Sequence, residues 1–218
     1  LGDLPLTDEN AVSPDPFLSL TIGGQPFAQV FVNIEPRRTT HPIDANRVGH
    51  TLIYSDPAVG LEVRCEGVEY RDFPTIEWTA YVKNTAAVDS PLIEHLLPLD
   101  TTFHVDGSLV LHHNVGSLAS INDYQPIDSP LDAGMSLHIS TVGGRSTNSD
   151  LPFFNIEYDG GGVIAALGWP GQWAADFIRD SGNVLHVMAG QQLTHFKLRP
   201  GEEVRTPLVV MQFYQGSR

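Results

Sequence analysis

The sequence predicts an all-β protein, a large sandwich built from antiparallel sheets. Apolar and polar residues alternate with period two along most of the chain. Tight-turn residues separate the alternating runs at short intervals. No stretch of about twelve or more residues holds a helical apolar stripe free of Pro or Gly. Strand, turn and strand repeated in this way argue for antiparallel sheets packed face to face.

In chain order, residues 1–16 are polar and proline-containing and read as a lead-in or linker. From residue 17 to 214 the strand pattern is continuous, with no Ser/Gly-rich linker, charge block or fixed-period repeat, so one domain is expected. Gly23-Gly24 joins two apolar stretches, and Asp56-Pro57 opens a later turn. Leu61, Val63 and Cys65 alternate with Glu62, Arg64 and Glu66, a strand with one wet face. Ile76, Trp78, Ala80 and Val82 alternate with Glu77, Thr79, Tyr81 and Lys83 in the same way. The best short-helix candidates are residues 92–97 and 118–124. Leu137 and Ile139 flank His138, and Phe196 and Leu198 flank Lys197. Gly160-Gly161-Gly162 follows Asp159, Ser181-Gly182-Asn183 separates Ile178 from Val184, and Pro200-Gly201 precedes Val204. The last strand is expected over residues 207–214, and residues 215–218 read as the start of a connector.

Composition narrows the function. At 218 residues with 41% hydrophobic and 17% charged residues, the chain can bury a core without disulfides or a structural metal. The 20 Gly and 16 Pro fit many turns. The formal charge of −14 repels phosphate backbones, so no nucleic-acid partner is expected. No apolar run approaches the ~20 residues that span a bilayer, so no membrane partner is expected, and no signal peptide is read at the start. Cys65 is alone, which excludes an internal disulfide and a cysteine-cluster zinc site. Both a cytoplasmic and a secreted bacterial location stay open. The first residue, Leu1, suggests a processed chain or a piece of a longer one.

Candidate chemistry is sparse. His112 and His113 are adjacent, so on a strand they point to opposite faces and cannot share an ion. No His-Glu-x-x-His pattern exists, and no metal or other cofactor is expected. There is no Gly-x-Ser-x-Gly elbow, and Cys65 reads as a core residue. Asp123, Asp128, Asp132, Asp176 and Asp180 are acid/base candidates by type alone, and the sequence pairs none of them. No catalytic residue is assigned.

The most informative stretch runs from residue 143 to 177. Trp169 and Trp173 bracket a Pro-Gly turn, with Gln172 beside them and Arg145 nearby in sequence. Aromatic rings stack on pyranose faces while amides and guanidinium groups bind hydroxyls, so these four residues are candidates for carbohydrate binding. Alternatively both tryptophans fill the sandwich core or dock on a neighbouring domain. The turn length suggests that Trp169 points inward and leaves Trp173 on the rim.

Here the chain begins to resemble a known family. The ordered set Gly143-Gly144-Arg145-Ser146, Pro152-Phe153-Phe154, the glycine hairpin, Gly168-Trp169 to Trp173, Arg199-Pro200-Gly201-Glu202 and Arg205-Thr206-Pro207-Leu208-Val209-Val210 is similar to the N-terminal domain of family 36 glycoside hydrolases, the α-galactosidases or melibiases. The resemblance covers roughly residues 76–214. It implies a β-supersandwich like that of galactose mutarotases, preceding a (β/α)8 barrel that holds the catalytic aspartates. It therefore implies a non-catalytic domain whose partners are the adjoining barrel, a galactoside-like carbohydrate and possible further subunits. Where the family usually carries Tyr-Ser-Gly-Asn, this chain has Trp169-Pro170-Gly171-Gln172-Trp173, and a relative acting on other sugars stays open.

Two other classes remain. A free-standing carbohydrate-binding or mutarotase-like protein would need a His acid and a carboxylate base on one sheet face, with His112 or His113 and Glu157 as nominees. A structural or adhesion module is the third.

Overall fold

The structure, a computed structural model, describes residues 17–216. The lead-in at 1–16 and the end of the connector at 217–218 lie outside the described residues. β1 (Ser19–Ile22) and β2 (Gln25–Pro26) form a hairpin, followed by one helical turn, α1 (Phe27–Val30). β3 (Arg37–Pro42), β4 (Arg47–Asp56), β5 (Leu61–Tyr70) and β6 (Thr75–Asn84) make an antiparallel meander. Next come β7 (Ile93–Leu97), β8 (Leu99–His104), β9 (Leu109–Asn114), β10 (Pro126–Pro130) and β11 (Ser136–Ser140). β12 (Phe153–Tyr158) and β13 (Gly161–Gly168) form one hairpin, and β14 (Trp173–Arg179) and β15 (Val184–Gln191) another. β16 (His195–Phe196), β17 (Glu203–Arg205) and β18 (Leu208–Gln215) close the order.

The turn chemistry decides these hairpins. Gly23 and Gly24 both have positive φ, 58° and 81°, between the paired residues Ile22 and Gln25. Two consecutive left-handed residues match the twist of the flanking strands, and glycine adopts them without strain. Asn183 takes the same region at φ 72° before β15.

One sheet is long, in the order β10-β9-β12-β13-β18-β6-β5-β4-β3, with β17 also paired to β6. Two smaller sheets, β11-β14-β15-β8 and β16-β7-β1-β2, cover one of its faces. The first core cluster joins Leu111, Phe154, Ile156, Val163 and Val209 of the long sheet to Trp173, Phe177, Leu185 and Val187 of the first small sheet. The second joins Tyr54, Leu61, Val63, Ala80 and Val82 to Leu20, Ile22, Ile93, Phe27 and Phe31. β6 serves both, with Trp78 in one cluster and Ala80 and Val82 in the other. Cys65 packs against both, as a core residue should. The all-β sandwich expected from the alternation is the observed architecture.

Two expectations are corrected. Residues 118–124 are a turn-rich loop, and residues 93–97 are β7. In β7 both Ile93 and Leu96 are buried, a spacing of three that mimics a helix. The cause is a bulge: Ser19 pairs with Leu97 but Thr21 with Glu94, so β7 spends one extra residue, and His95 takes φ 50°. The helix that does form, α1, is a single turn whose buried residue is Phe27.

Candidate functional site

The structure separates the four residues of the Trp169–Trp173 turn. β14 begins at Trp173, and its alternation sends Trp173, Ala175 and Phe177 inward. Trp173 is 0% exposed, meets Phe154 edge-on at 5.6 Å, and donates its indole N–H to Ser146 O over 2.7 Å. Its expected rim position is therefore corrected: strand parity, not turn length, sets its direction, and no sugar reaches it. Trp169 is half-buried against the same core, with the Arg205 guanidinium 5.8 Å above its ring. Gln172 is occupied structurally, since Oε1 accepts from Gly144 N over 2.9 Å and Nε2 donates to Gln192 Oε1. Arg145 is exposed. The turn braces two loops, with Pro170 and Arg145 exposed and Trp169 and Gln172 half-buried.

A different group of residues converges on the face of the long sheet turned away from the two smaller sheets. β10, β9 and β12 are neighbours, with Asp128 opposite His112 and His112 opposite Asn155. Outward side chains on these strands include Asp128, His112, Asn155 and Glu157, while Leu111, Phe154 and Ile156 fill the core. The His112 imidazole lies between two carboxylates, Nδ1 at 2.6 Å from Asp128 Oδ1 and Nε2 at 2.9 Å from Glu157 Oε2. With its second proton it donates to both at once. His113 turns to the opposite face, as adjacency demands. There it is buried, with Nε2 at 3.0 Å from Ser129 Oγ, and burial pulls its pKa below the usual histidine value.

Asn155 is oriented from the other side. Tyr214 on β18 donates its hydroxyl to Asn155 Oδ1 over 2.9 Å. To do so its ring crosses β13 at Gly162, where a Cβ would stand 2.6 Å from Cε1 and closer still to Cζ and Oη. Beside these groups lie two apolar side chains on the same face, Phe153, 55% exposed, and Ile164, 40% exposed. A cleft of about 230 Å³ joins His112, Asn114, Asp128, Phe153, Asn155 and Ile164.

The five aspartates singled out by type have separate duties. Asp123 accepts from Ser117 Oγ, Ser120 Oγ and the N–H groups of Leu118, Ala119 and Ser120, and these bonds hold its pKa down at about 2. Asp180 accepts from Gly182 N and Val184 N in its own turn, which lowers its pKa. Asp176 meets His138 Nδ1 at 2.7 Å, and Asp132 is exposed. Asp128 comes together with Glu157, and both face a histidine, as Glu66 and Glu203 both face Arg64. No group of three or more His, Cys, Asp or Glu side chains among the described residues is arranged to hold a metal. The Cys65 thiol is pushed up to about 12 by burial, so it is no nucleophile at neutral pH. The sequence nominates His112 or His113 with Glu157, and the structure brings His112 to Glu157 while His113 faces the core. Asp128 is a candidate by type alone until strand register sets it beside His112, and Asn155 and Tyr214 enter only through register, which joins residues up to 59 positions apart.

Fold and face together define a β-sandwich whose long sheet carries polar and aromatic groups on the side away from the two smaller sheets. No family model matches this chain, and no curated protein matches it. Solved structures do. The family 36 α-galactosidase AgaA from Geobacillus stearothermophilus matches with TM-score 0.67 and 17% identity, over 96% of this chain and 32% of that one. The α-galactosidase from Lactobacillus brevis matches with TM-score 0.69 and 14% identity, over 92% of this chain and 29% of that one. The α-N-acetylgalactosaminidase NagBb from Bifidobacterium bifidum, a quadruple mutant, matches with TM-score 0.58 and 14% identity over 92% and 31%. The chain thus spans about a third of the length of these enzymes and shares the fold of that portion, the likeness that its motifs imply.

Proposed function

We propose that the chain is the non-catalytic N-terminal β-sandwich domain of a glycoside hydrolase of the α-galactosidase class, packed on a catalytic barrel. The observation that carries this reading is the coverage: a match over 96% of this chain takes in only 32% of the first α-galactosidase. The reading is supported by Asp128 and Glu157, which both hold His112, whereas hydrolysis of a glycosidic bond needs two carboxyl groups facing the bond itself. On this reading residues 17–214 form one domain, residues 215–218 lead into the barrel, and the half-buried Trp169 and the exposed Arg145 are available to the adjoining domain or a further subunit. The coding sequence after Arg218 is expected to specify a (β/α)8 barrel with carboxylates at strand ends. A stop codon there would overturn the reading. So would turnover of a nitrophenyl α-galactoside by the purified 218-residue chain that disappears on changing a single Asp.

The 2.9 Å contact between His112 and Glu157 favours a second reading, a sugar-active protein of mutarotase type. Against it, both ring nitrogens of His112 are engaged by carboxylates, so neither is presented to a substrate oxygen. Polarimetry of freshly dissolved α-galactose separates the two readings, since only the second expects faster mutarotation with the chain present.

A further inference from the structure

We propose that the outer edge of β3 takes up an extended acidic segment of another polypeptide, which adds to the long sheet as a further antiparallel strand. The site lies at the end of that sheet opposite β10, and it does not depend on the chain being part of a hydrolase.

The register of the β3–β4 hairpin shows which backbone groups are spare. Ile43 N donates to Arg47 O over 3.0 Å, so these two residues form a hydrogen-bonded pair. Such pairs recur at every second residue of an antiparallel ladder, and the pairing of β3 with β4 runs without a shift. Arg37, Thr39 and His41 therefore bond to β4, opposite Ile53, Thr51 and Gly49. Arg38 and Thr40 point both N–H and C=O away from the sheet, and Pro42 adds a C=O. β3 is the last strand of its sheet, and all of its residues are exposed. The opposite edge is closed by comparison. Val115 N donates to Gln125 O, so the outward positions of β10 are Pro126, Asp128 and Pro130, and both prolines lack an N–H.

Charge selects the partner. Arg37-Arg38 is the only adjacent pair of Lys or Arg in a chain of formal charge −14. Among the described residues neither guanidinium meets a carboxylate, whereas Arg47 pairs with Asp44 and Arg64 with Glu66 and Glu203. Successive strand residues point to opposite faces, so one arginine stands on each side of the edge. An antiparallel strand meets both with two consecutive acidic residues, the first opposite Arg38 and the second opposite Arg37. The residue two places before the first acid then lies opposite Thr40. The backbones exchange two hydrogen bonds at Arg38 and two at Thr40. A basic segment is repelled, and a segment with Pro opposite Thr40 loses an N–H that the edge would accept.

The test titrates the 218-residue chain with the capped heptapeptide Ser-Thr-Val-Thr-Glu-Glu-Ser, followed by calorimetry and amide NMR shifts. Its Val falls opposite Thr40 and its two Glu opposite Arg38 and Arg37. Binding is expected at about 0.1–1 mM, with the amide signals of Arg38 and Thr40 shifting most. The analogue with Lys-Lys for Glu-Glu and the analogue with Pro for Val should each bind about tenfold more weakly or worse. Thr40→Pro and the double variant Arg37→Gln/Arg38→Gln should weaken binding to the same degree. Arg199→Gln, at another exposed arginine, should leave it unchanged. Thr40→Pro gives up an N–H that the sheet does not use, so its denaturant midpoint should stay near that of the wild type. The arginine variants carry the test if it does not. No saturable binding up to about 10 mM would overturn the proposal. Binding that the Pro-for-Val analogue or Thr40→Pro retains would overturn it too, since charge alone would then hold the peptide. Concentration-dependent dimerisation that Thr40→Pro abolishes would make a second copy the occupant and overturn it equally.

Discussion

Tyr214 reaches across β13 and donates to Asn155 Oδ1 over 2.9 Å, passing Gly162 at an outward position that has no side chain. The hydroxyl of the C-terminal strand thereby orients an amide two strands away. Gly162→Ala should break this arrangement. Replacing Gly by Ala in a strand ordinarily helps by limiting the unfolded chain, but here the new methyl occupies the ring's place. A net loss of about 1–3 kcal/mol is expected by urea denaturation. In a Tyr214→Ala background the same change should cost much less. Equal costs in both backgrounds would show that the ring is not what the methyl meets.

The two tryptophans of the turn should respond differently to truncation. Trp173→Ala removes a fully buried indole and its bond to Ser146 O, for a loss of about 3–5 kcal/mol. Trp169→Ala removes a half-buried ring under Arg205 and should cost less than about 1.5 kcal/mol. Paired denaturation curves check the order. A Trp169 variant as unstable as the Trp173 variant would show that the first ring is equally part of the core.

The loop at residues 117–124 should be acid-sensitive. Asp123 is ionised against five donors, and its folded pKa of about 2 lies below the ordinary 3.8. A depressed carboxylate contributes stability that is complete above the unfolded pKa and is lost as pH falls towards the folded one. Between pH 5 and about pH 2 the loop should lose amide protection, and Asp123→Asn should show a smaller acid dependence. A carboxyl resonance of Asp123 that titrates at the ordinary value would contradict the cradle.

Cys65 should be inert in the folded protein. Burial raises its thiol to about 12, so thiolate is scarce at pH 8. A thiol reagent is expected to label the chain in urea and to leave the native chain unlabelled over hours. Rapid labelling without denaturant would mean that β4 and β5 open locally.

Much of the fold was legible because its signals are local. β5 and β6 follow from strict alternation, and the Gly23-Gly24 and Ser181-Gly182-Asn183 turns from residues that accept left-handed backbone. The misreadings have local causes too. The β7 bulge turns a spacing of two into three and imitates a helix, and Leu118 and Ile121 share that spacing only because both face solvent on the Asp123 loop. Trp173 was readable in principle, since Trp173, Ala175 and Phe177 form a period-two run ending in an evident core residue. The cleft was not. His112 meets Glu157 through pairing between strands 45 positions apart, and nothing in the intervening sequence encodes that register.

The position of β18 has a consequence for how the chain is made. This last strand joins β13 to β6, so two subassemblies of the long sheet, β10-β9-β12-β13 and β6-β5-β4-β3, meet only across it. Every strand before β17 leaves the ribosome while that gap is open, with the inner edges of β13 and β6 unpaired. The nascent chain therefore cannot close its sandwich by stages. It carries two exposed sheet edges until residues 203–215 emerge, and that interval is when a chaperone or a misdirected strand has its access.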